Sequence, residues 1–207
     1  MNIVIMANGV IKNYEKTKKL IKNATYIIAC DGGLNHLNEM EIKPDIIIGD
    51  LDSVKQDLIC TAKLKGIKIL EYPPMKDETD LELGIAHGLS QGATSLQIFG
   101  ALGGRIDHEL ANLHLLTMEP NIIEICDEET KITLITKTTT LQKGDFKTIS
   151  LIPLTTDVTG IVTQGLFYPL KGETLKVGTS RGVSNTFTGK TATITVDTGK
   201  LLAISYI

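Results

Sequence analysis

The sequence predicts an α/β protein in two parts: an N-terminal doubly wound, mostly parallel sheet of the Rossmann-like kind, and a C-terminal all-β sandwich. Three observations carry that expectation. Short apolar runs alternate with amphipathic stretches as far as about residue 128, which implies βαβ crossovers. Beyond that point helical periodicity vanishes, threonine becomes abundant and short β-type runs follow one another. Acidic or glycine-rich turns follow four of the N-terminal strand candidates, where open α/β sheets bind ligands. The expected domains are therefore 1–128 and 129–207.

In chain order, the strand candidates of the first part are Asn2–Met6, Tyr26–Cys30, Ile46–Gly49, Lys68–Tyr72, Ser95–Phe99 and Ile122–Cys126. The run Ile46-Ile47-Ile48, preceded by Pro44 and ended by Gly49, reads as a strand buried on both faces. Helices are expected around Tyr14–Asn23, Leu34–Glu39, Val54–Lys65, Asp80–Gln91 and Asp107–Met118; in the fourth, Leu81, Ile85 and Leu89 mark one face. The second part offers strands at Lys131–Thr136, Phe146–Leu151, Asp157–Val162, Gly182–Phe187, Thr191–Asp197 and Leu201–Tyr206. Turn residues such as Lys143-Gly144-Asp145, Lys171-Gly172 and Thr198-Gly199-Lys200 separate them.

Composition excludes several classes. No apolar stretch has the length of a membrane span, and the N-terminus lacks a basic segment followed by a signal-like apolar core. Cys30, Cys60 and Cys126 have no metal-like spacing and follow Ala29, Ile59 and Ile125, so all three are expected to be buried thiols in a reducing cytoplasm. The net charge of −3 divides unevenly: residues 1–130 hold 20 acidic and 12 basic residues, residues 131–207 hold 4 and 9. Neither half is basic or aromatic enough to suggest nucleic acid. The opposite balances are compatible with contact between the acidic half of one molecule and the basic half of another.

Four turns carry the chemistry. In Gly49-Asp50-Leu51-Asp52-Ser53 two carboxylates two residues apart follow the isoleucine strand. Unpaired, they repel and raise one another's pKa; a hard cation such as Mg²⁺ removes the conflict, although a solvated acidic turn has the same sequence. Asp31-Gly32-Gly33 can bring backbone N–H groups to a phosphate, or form a tight turn with a capping aspartate. Lys76-Asp77-Glu78-Thr79-Asp80 opens a helix with Asp77 or Thr79 as N-cap, and has more acids than capping requires, beside a lysine suited to phosphate. In Gly103-Gly104-Arg105-Ile106-Asp107-His108 a glycine-rich turn ends in one of only two arginines against 19 lysines, as a polyphosphate contact would need. His108 is either a further phosphate contact or a first-turn polar residue. No Gly-x-x-x-x-Gly-Lys-Ser/Thr loop is present, and Asn8-Gly9 does not match a dinucleotide fingerprint. In the second part, Phe167-Tyr168-Pro169 and Ser184-Asn185 suit either a pocket for a heterocycle or a β-turn in which Asn185 satisfies the backbone.

These turns, in this order and with Leu110-Ala111-Asn112 and Ser184-Asn185, resemble the thiamine pyrophosphokinase (thiamine diphosphokinase) family of the bacterial type over essentially the whole chain. The resemblance implies an ATP- and Mg²⁺-binding α/β domain, a thiamine-binding β-sandwich, and a homodimer with the active site at the subunit interface. It implies transfer of the ATP pyrophosphoryl group to the thiamine hydroxyl, giving thiamine diphosphate and AMP. Asp50, Asp52 and Asp80 match metal-coordinating acids; Asp31 and Asp77 are neighbouring acids that support the metal or orient the hydroxyl, with Arg105 on the transferred group. Gly32, Ser53, Lys76, Thr79, Arg105 and His108 fall at nucleotide positions, and Tyr168, Ser184 and Asn185 at the thiamine turn. Thr186 stands where many bacterial members carry an acid. Two other readings are a metal-dependent nucleotide-sugar transferase, which leaves the turns at Lys76–Asp80 and Gly103–His108 unexplained, and a non-catalytic ligand-sensing dimer, which needs no acids at the sheet edge.

Overall fold

The computed structural model describes residues 1–207 and divides into two compact units, Met1–Leu115 with Ile125–Glu128, and Leu116–Glu124 with Glu129–Ile207. The first unit contains, in order, β1 (Asn2–Met6), α1 (Tyr14–Leu20), β2 (Tyr26–Cys30), α2 (Gly33–Glu39), β3 (Ile46–Gly49), α3 (Gln56–Leu64), β4 (Lys68–Glu71), α4 (Asp80–Ser90), β5 (Ser95–Phe99) and α5 (Ile106–Leu115). The strand β6 (Ile123–Cys126) ends it and straddles the division. The strands lie in the order β6-β5-β1-β2-β3-β4, with β5, β1, β2, β3 and β4 parallel to one another. From β1 to β4 the chain steps outward one strand at a time. It then returns across the sheet to place β5 on the other side of β1. The order thus reverses between β1 and β5, which opens a crevice at their carboxyl ends.

Burial on both faces explains why these strands are apolar almost throughout. In β1, Ile3, Val4, Ile5 and Met6 are all buried. Val4 and Met6 join Ala29, Ile47 and Phe99 in a core closed by Leu34 and Leu37 of α2 and by Ile59 and Ala62 of α3. On the opposite face α4 presents Leu81, Gly84, Ile85 and Gly88. A Cβ at Gly84 would overlap Cys30 Sγ, and one at Gly88 would press on Leu96, so the glycines let this helix lie close to the sheet. Local signals fix its ends. Thr79 Oγ1 accepts from the Glu82 N–H (3.2 Å), Asp80 and Glu82 sit in the first turn, and Gly92 at φ +78° follows the last residues.

The second unit is an antiparallel sandwich. One sheet has the order β12 (Asn185–Thr186), β9 (Thr148–Pro153), β14 (Leu201–Tyr206), β7 (Thr130–Ile135). The other has the order β11 (Lys171–Lys176), β10 (Asp157–Gln164), β13 (Thr191–Thr195), β8 (Thr139–Gln142). Ile135, Ile149, Leu151, Leu201 and Ala203 from the first meet Val158, Ile161, Leu175, Ala192 and Ile194 from the second. Two strands escape sequence reading: β8 is a short threonine-rich edge, and β11 begins at Lys171-Gly172, a turn-like pair, and buries only Leu175. Conversely, the expected strand Gly182–Phe187 shrinks to two residues, because Gly182 (φ +101°) and Ser184 (φ +58°) take left-handed conformations incompatible with a ladder.

Cys30 and Cys126 are buried as expected, but Cys60 is exposed: it points to solvent from α3, whose buried residues are Ile59 and Ala62. No helix is long and apolar enough to cross a membrane.

A buried carboxylate secures the start of α1. Glu128 Oε1 accepts from the Asn13 N–H (2.9 Å) and from the Thr17 hydroxyl (2.9 Å). Burial alone would raise its pKa, but these bonds and backbone donors at Glu128 and Lys12 hold it below the ordinary glutamate value. A depressed folded-state pKa stabilises the fold above the unfolded value of about 4.3, and this contribution is lost as pH falls through the folded value. Glu128→Gln is therefore expected to cost about 1–3 kcal/mol at pH 7 and to flatten the acid limb of stability, as read by urea unfolding at pH 7 and pH 4.

Candidate active site

The crevice between β1 and β5 is lined by the turns that follow both strands. Their backbones are joined by three hydrogen bonds: Ala7 N–H to Phe99 O (2.8 Å), Gly9 N–H to Gly100 O (2.6 Å) and Val10 N–H to Leu102 O (3.0 Å). A Cβ at Gly9 would overlap Gly100 O, and one at Gly100 (φ +69°) would overlap Ala7 O, so both glycines are required for this approach. Above them lies a cavity of about 600 Å³. Its walls include Asn8, Gly9, Asp31, Ser53, Lys76, Thr79, Asp80, Gly104, Arg105, His108 and Asn112. That volume falls in the range of small-molecule and cofactor sites.

Three carboxylates gather at its edge: Asp31, Asp50 and Asp52 have oxygens within 4.8 Å of one another. Asp31 stands directly after β2, buried, at φ +45°, and its N–H donates to Ile48 O (2.9 Å). Asp50 and Asp52 flank Leu51, which is buried at φ +64°, a conformation an L-residue adopts at a cost. Asp52 Oδ1 accepts from Ser53 Oγ (2.8 Å), and Asp31 Oδ1 from the Ser53 N–H (3.4 Å). Asp80, in the first turn of α4, reaches the same place, for a Cβ at Gly49 would lie 3.1 Å from Asp31 Cβ and 3.2 Å from Asp80 Cγ.

A cation already stands against these acids. Lys76 Nζ lies 3.0 Å from Asp80 Oδ1 and 4.0 Å from Asp50 Oδ2. Burial works against its charge, yet Asp80, Asp50 and Asp31 more than offset this and hold the ammonium pKa above the ordinary lysine value. Burial, then the like charges of Asp50 and Asp31, raises the pKa of Asp80 despite Lys76. A donor set of hard carboxylate oxygens with an ammonium as stand-in fits a hard divalent cation such as Mg²⁺. Next to them Cys30 is buried, and desolvation followed by Asp80 and Asp31 pushes its thiol far up, so it stays protonated.

On the opposite wall Arg105 forms a fork with Asp107, Nε to Oδ1 at 3.1 Å and Nη2 to Oδ2 at 2.6 Å. That contact, with the His108 N–H, brings the Asp107 carboxyl down to about 2. Both side chains are largely exposed, so the pair adds little stability and the guanidinium is free to exchange partners. Asn112 Nδ2 donates to Ala101 O (2.9 Å) and supports the glycine turn from α5.

Not every expected residue reaches this cavity. Asp50, Asp52 and Asp77 do not line it: the first two stand at its edge with Asp31, and Asp77 is exposed on the segment before the Thr79 cap. Gly32 is covered by the Asn8 side chain, which a Cβ there would overlap. Thr79 lines the wall while its oxygen caps α4. In the second unit, Asn185 is buried and spends its amide on backbone: Oδ1 accepts from Tyr168 N–H (3.0 Å) and Thr186 N–H (2.9 Å), and Nδ2 donates to Tyr168 O (2.7 Å). This clamp presents Phe167 and Tyr168, both more than 60% exposed and packed edge to face at 4.9 Å. Ser184 is exposed, and its N–H donates to Ser150 Oγ (3.0 Å). The turn Asn8-Gly9 escapes sequence analysis as a site element, since only the strand-order reversal places it beside the Gly100 turn.

A switch-point cavity with clustered acids on one side and an arginine-tipped glycine turn on the other is the arrangement of an enzyme acting on a phosphorylated nucleotide. Comparisons with known proteins narrow this class. Residues 17–126 match the family described as thiamin pyrophosphokinase, catalytic domain, and residues 137–201 match thiamin pyrophosphokinase, vitamin B1 binding domain. The chain is 30% identical over 185 residues to the thiamine pyrophosphokinase of Bacillus subtilis, covering 87% of this chain and 86% of that one. It is 31% identical over 216 residues to thiamine pyrophosphokinase 1 of Arabidopsis thaliana, covering 91% and 81%. The crystal structure of the Bacillus subtilis thiamine pyrophosphokinase superposes with a TM-score of 0.89 at 26% identity, over 100% of this chain and 99% of that one. The chain belongs to the thiamine pyrophosphokinase family.

If Arg105 exchanges Asp107 for substrate phosphate, Arg105→Ala should lower kcat/KM for ATP by roughly a hundredfold, and Arg105→Lys should recover only part, since a point charge lacks the fork. Steady-state kinetics with ATP varied decide it; wild-type values for Arg105→Ala would make the turn purely structural.

Proposed function

We propose that this chain is a thiamine diphosphokinase, which transfers the pyrophosphoryl group of ATP to the hydroxyl of thiamine and releases AMP. The observation that carries the reading is the convergence of Asp31, Lys76 and Asp80 on one wall of the β1–β5 cavity with Asp50 and Asp52 beside them at its edge, within the stretch matching the family's catalytic domain.

Asp50, Asp52 and Asp80 are the groups that would hold Mg²⁺, with Asp31 beside them. When bound, the ion neutralises charge on the phosphate oxygens. The chain's own groups do the rest. Arg105 and the N–H groups of the Gly103-Gly104 turn bind the phosphate chain from the opposite wall, with Ser53, Thr79 and His108 on the same cavity. Lys76 moves from the acids to the transferred phosphate. The thiamine oxygen bonds to the β-phosphorus as the bond from that phosphorus to the α,β-bridging oxygen breaks, and the electron pair leaves on AMP. Such transfers need in-line placement and charge neutralisation more than covalent help. The hydroxyl proton passes to a carboxylate, and Asp31, buried and on the cavity wall, suits this better than the exposed Asp77.

Thiamine meets the second unit through Tyr168 and Ser184, with Asn185 holding the Tyr168 backbone rather than touching the ligand. The enzyme works as a homodimer in which each site combines acids of one subunit with the Tyr168 turn of the other. The exposed aromatic pair and the opposite charge balances of the two halves support this. Cys30 and Cys126 are buried and neither is in a disulfide, which supports a reducing, cytoplasmic location.

Incubation with ATP, Mg²⁺ and thiamine should yield AMP and thiamine diphosphate in equal amounts. Asp52→Asn should nearly abolish turnover with the fold intact, because an amide binds Mg²⁺ more weakly than a carboxylate. Full activity with unchanged Mg²⁺ dependence would refute the metal assignment.

Mixing Asp52→Asn with Tyr168→Ala under subunit exchange tests the shared site. Random pairing makes about half the dimers mixed, each with one site carrying both lesions and one intact, so about a quarter of wild-type activity should return. A site confined to one subunit would recover nothing beyond the separate variants.

A further inference from the structure

Two adjacent side chains of α2 reach the turns on both sides of the cavity, and no substrate role accounts for either. Asn35 Nδ2 donates to Ser53 O (2.9 Å), and Asn35 Oδ1 accepts from the Lys55 N–H (3.3 Å). The next residue, His36, meets Gly9 O through Nε2 (2.8 Å) and Tyr14 OH through Nδ1 (2.9 Å). A carbonyl oxygen only accepts, so Nε2 carries the proton, and in the neutral ring Nδ1 accepts from the tyrosine hydroxyl.

We propose that Asn35 and His36 are positioning residues, a brace on α2 that sets the spacing between the acidic turn at 50–53 and the Asn8-Gly9 turn. The proposal rests on the metal and nucleotide assignments above. α2 is a firm base for such a brace. Leu34, Leu37 and Met40 are buried beneath it, and a Cβ at Gly33 would overlap Met6 O, so the helix lies directly on the end of β1.

Each arm holds something that would not hold itself. The turn at 50–53 forces Leu51 to φ +64° between two like-charged side chains, and such strain persists only where the surroundings over-determine it. Leu51 is pinned by burial, whereas Asp52 is exposed: its N–H donates to Asp50 Oδ1 (3.3 Å) and its carboxylate accepts from Ser53 Oγ (2.8 Å), both partners within the same short turn. Asn35 fixes the backbone on either side of residue 54, and through it the direction in which Asp52 points. The Gly9 carbonyl held by His36 belongs to the residue whose N–H bonds Gly100 O, so this arm reaches the glycine turn through the β1–β5 junction. Groups that orient ligating carboxylates in this way typically alter metal affinity 10- to 100-fold when removed.

The test uses the full-length protein and variants of similar size, Asn35→Leu and His36→Leu, with His36→Gln as the conservative partner whose amide can donate to Gly9 O and accept from Tyr14 OH. Mn²⁺ binding to the nucleotide-free protein, followed by electron paramagnetic resonance, should weaken roughly tenfold in Asn35→Leu. KM for ATP should rise by roughly the same factor in His36→Leu, with KM for thiamine unchanged and recovery in His36→Gln. Hydrogen exchange at the Lys55 amide should accelerate in Asn35→Leu alone. Wild-type exchange, Mn²⁺ affinity and KM for ATP in both leucine variants overturn the brace. So does a uniform loss of every parameter together with thermal stability, which marks ordinary destabilisation. Faster exchange at Lys55 with Mn²⁺ binding that neither Asn35→Leu nor Asp52→Asn alters overturns the metal assignment instead, and with it the brace's role in metal binding.

Discussion

Carboxylates held together at the end of a parallel sheet repel one another, and much of the surrounding structure exists to hold them there. Asp31 and Leu51 both sit at positive φ, and Gly49 packs its bare Cα against Asp31 and Asp80. Burial and mutual repulsion push Asp80 toward its neutral form, and the Lys76 ammonium opposes that push. The lysine ammonium supplies positive charge that offsets the clustered acids. Its displacement by metal and nucleotide would free it for phosphate, so one residue can serve both states.

The opposite wall has a parallel arrangement. Arg105 rests on Asp107, two positions along the chain, in an exposed ion pair that costs little to open. Both cations proposed to meet phosphate are therefore paired with carboxylates, and on that proposal substrate binding would exchange one set of charge contacts for another. Such exchange limits the net affinity any single contact can supply and makes binding depend on all of them together. In the second unit the aromatic pair at 167–168 is displayed on a turn held by a buried amide, so its exposure is enforced by structure. An exposed large aromatic pair on so firm a base supports the binding role proposed for it.

The acidic and glycine-rich turns were legible because their chemistry is local. A carboxylate pair after an isoleucine strand, or an arginine ending a glycine turn, carries its meaning within a few residues. Asp31, Asp50, Asp80 and Lys76 do converge, and α4 begins at one of the two caps its sequence offered. The second unit was harder to read. β8 and β11 are edge strands whose alternation is too weak to stand out, and Ser184 breaks the run that Gly182–Phe187 suggested. Asn185 offered two roles, and only its partners show that it serves the backbone.

What the sequence determined by itself was the order of elements and the residue types at the strand ends, because hydrophobic period and turn chemistry are short-range properties of the chain. Tertiary structure alone decided which turns face one another. The return of β5 to the far side of β1 joins the Asn8-Gly9 turn to the Gly100 turn across 91 residues, and no local pattern records that pairing. It likewise brought Asn35 and His36 to loops that lie 18 and 27 residues away, seated Cys30 beneath Gly84, and left Asp77 in solvent beside an Asp80 that is drawn in. Helix faces and strand order are settled by burial over the whole unit, so the contacts they create are written only in three dimensions.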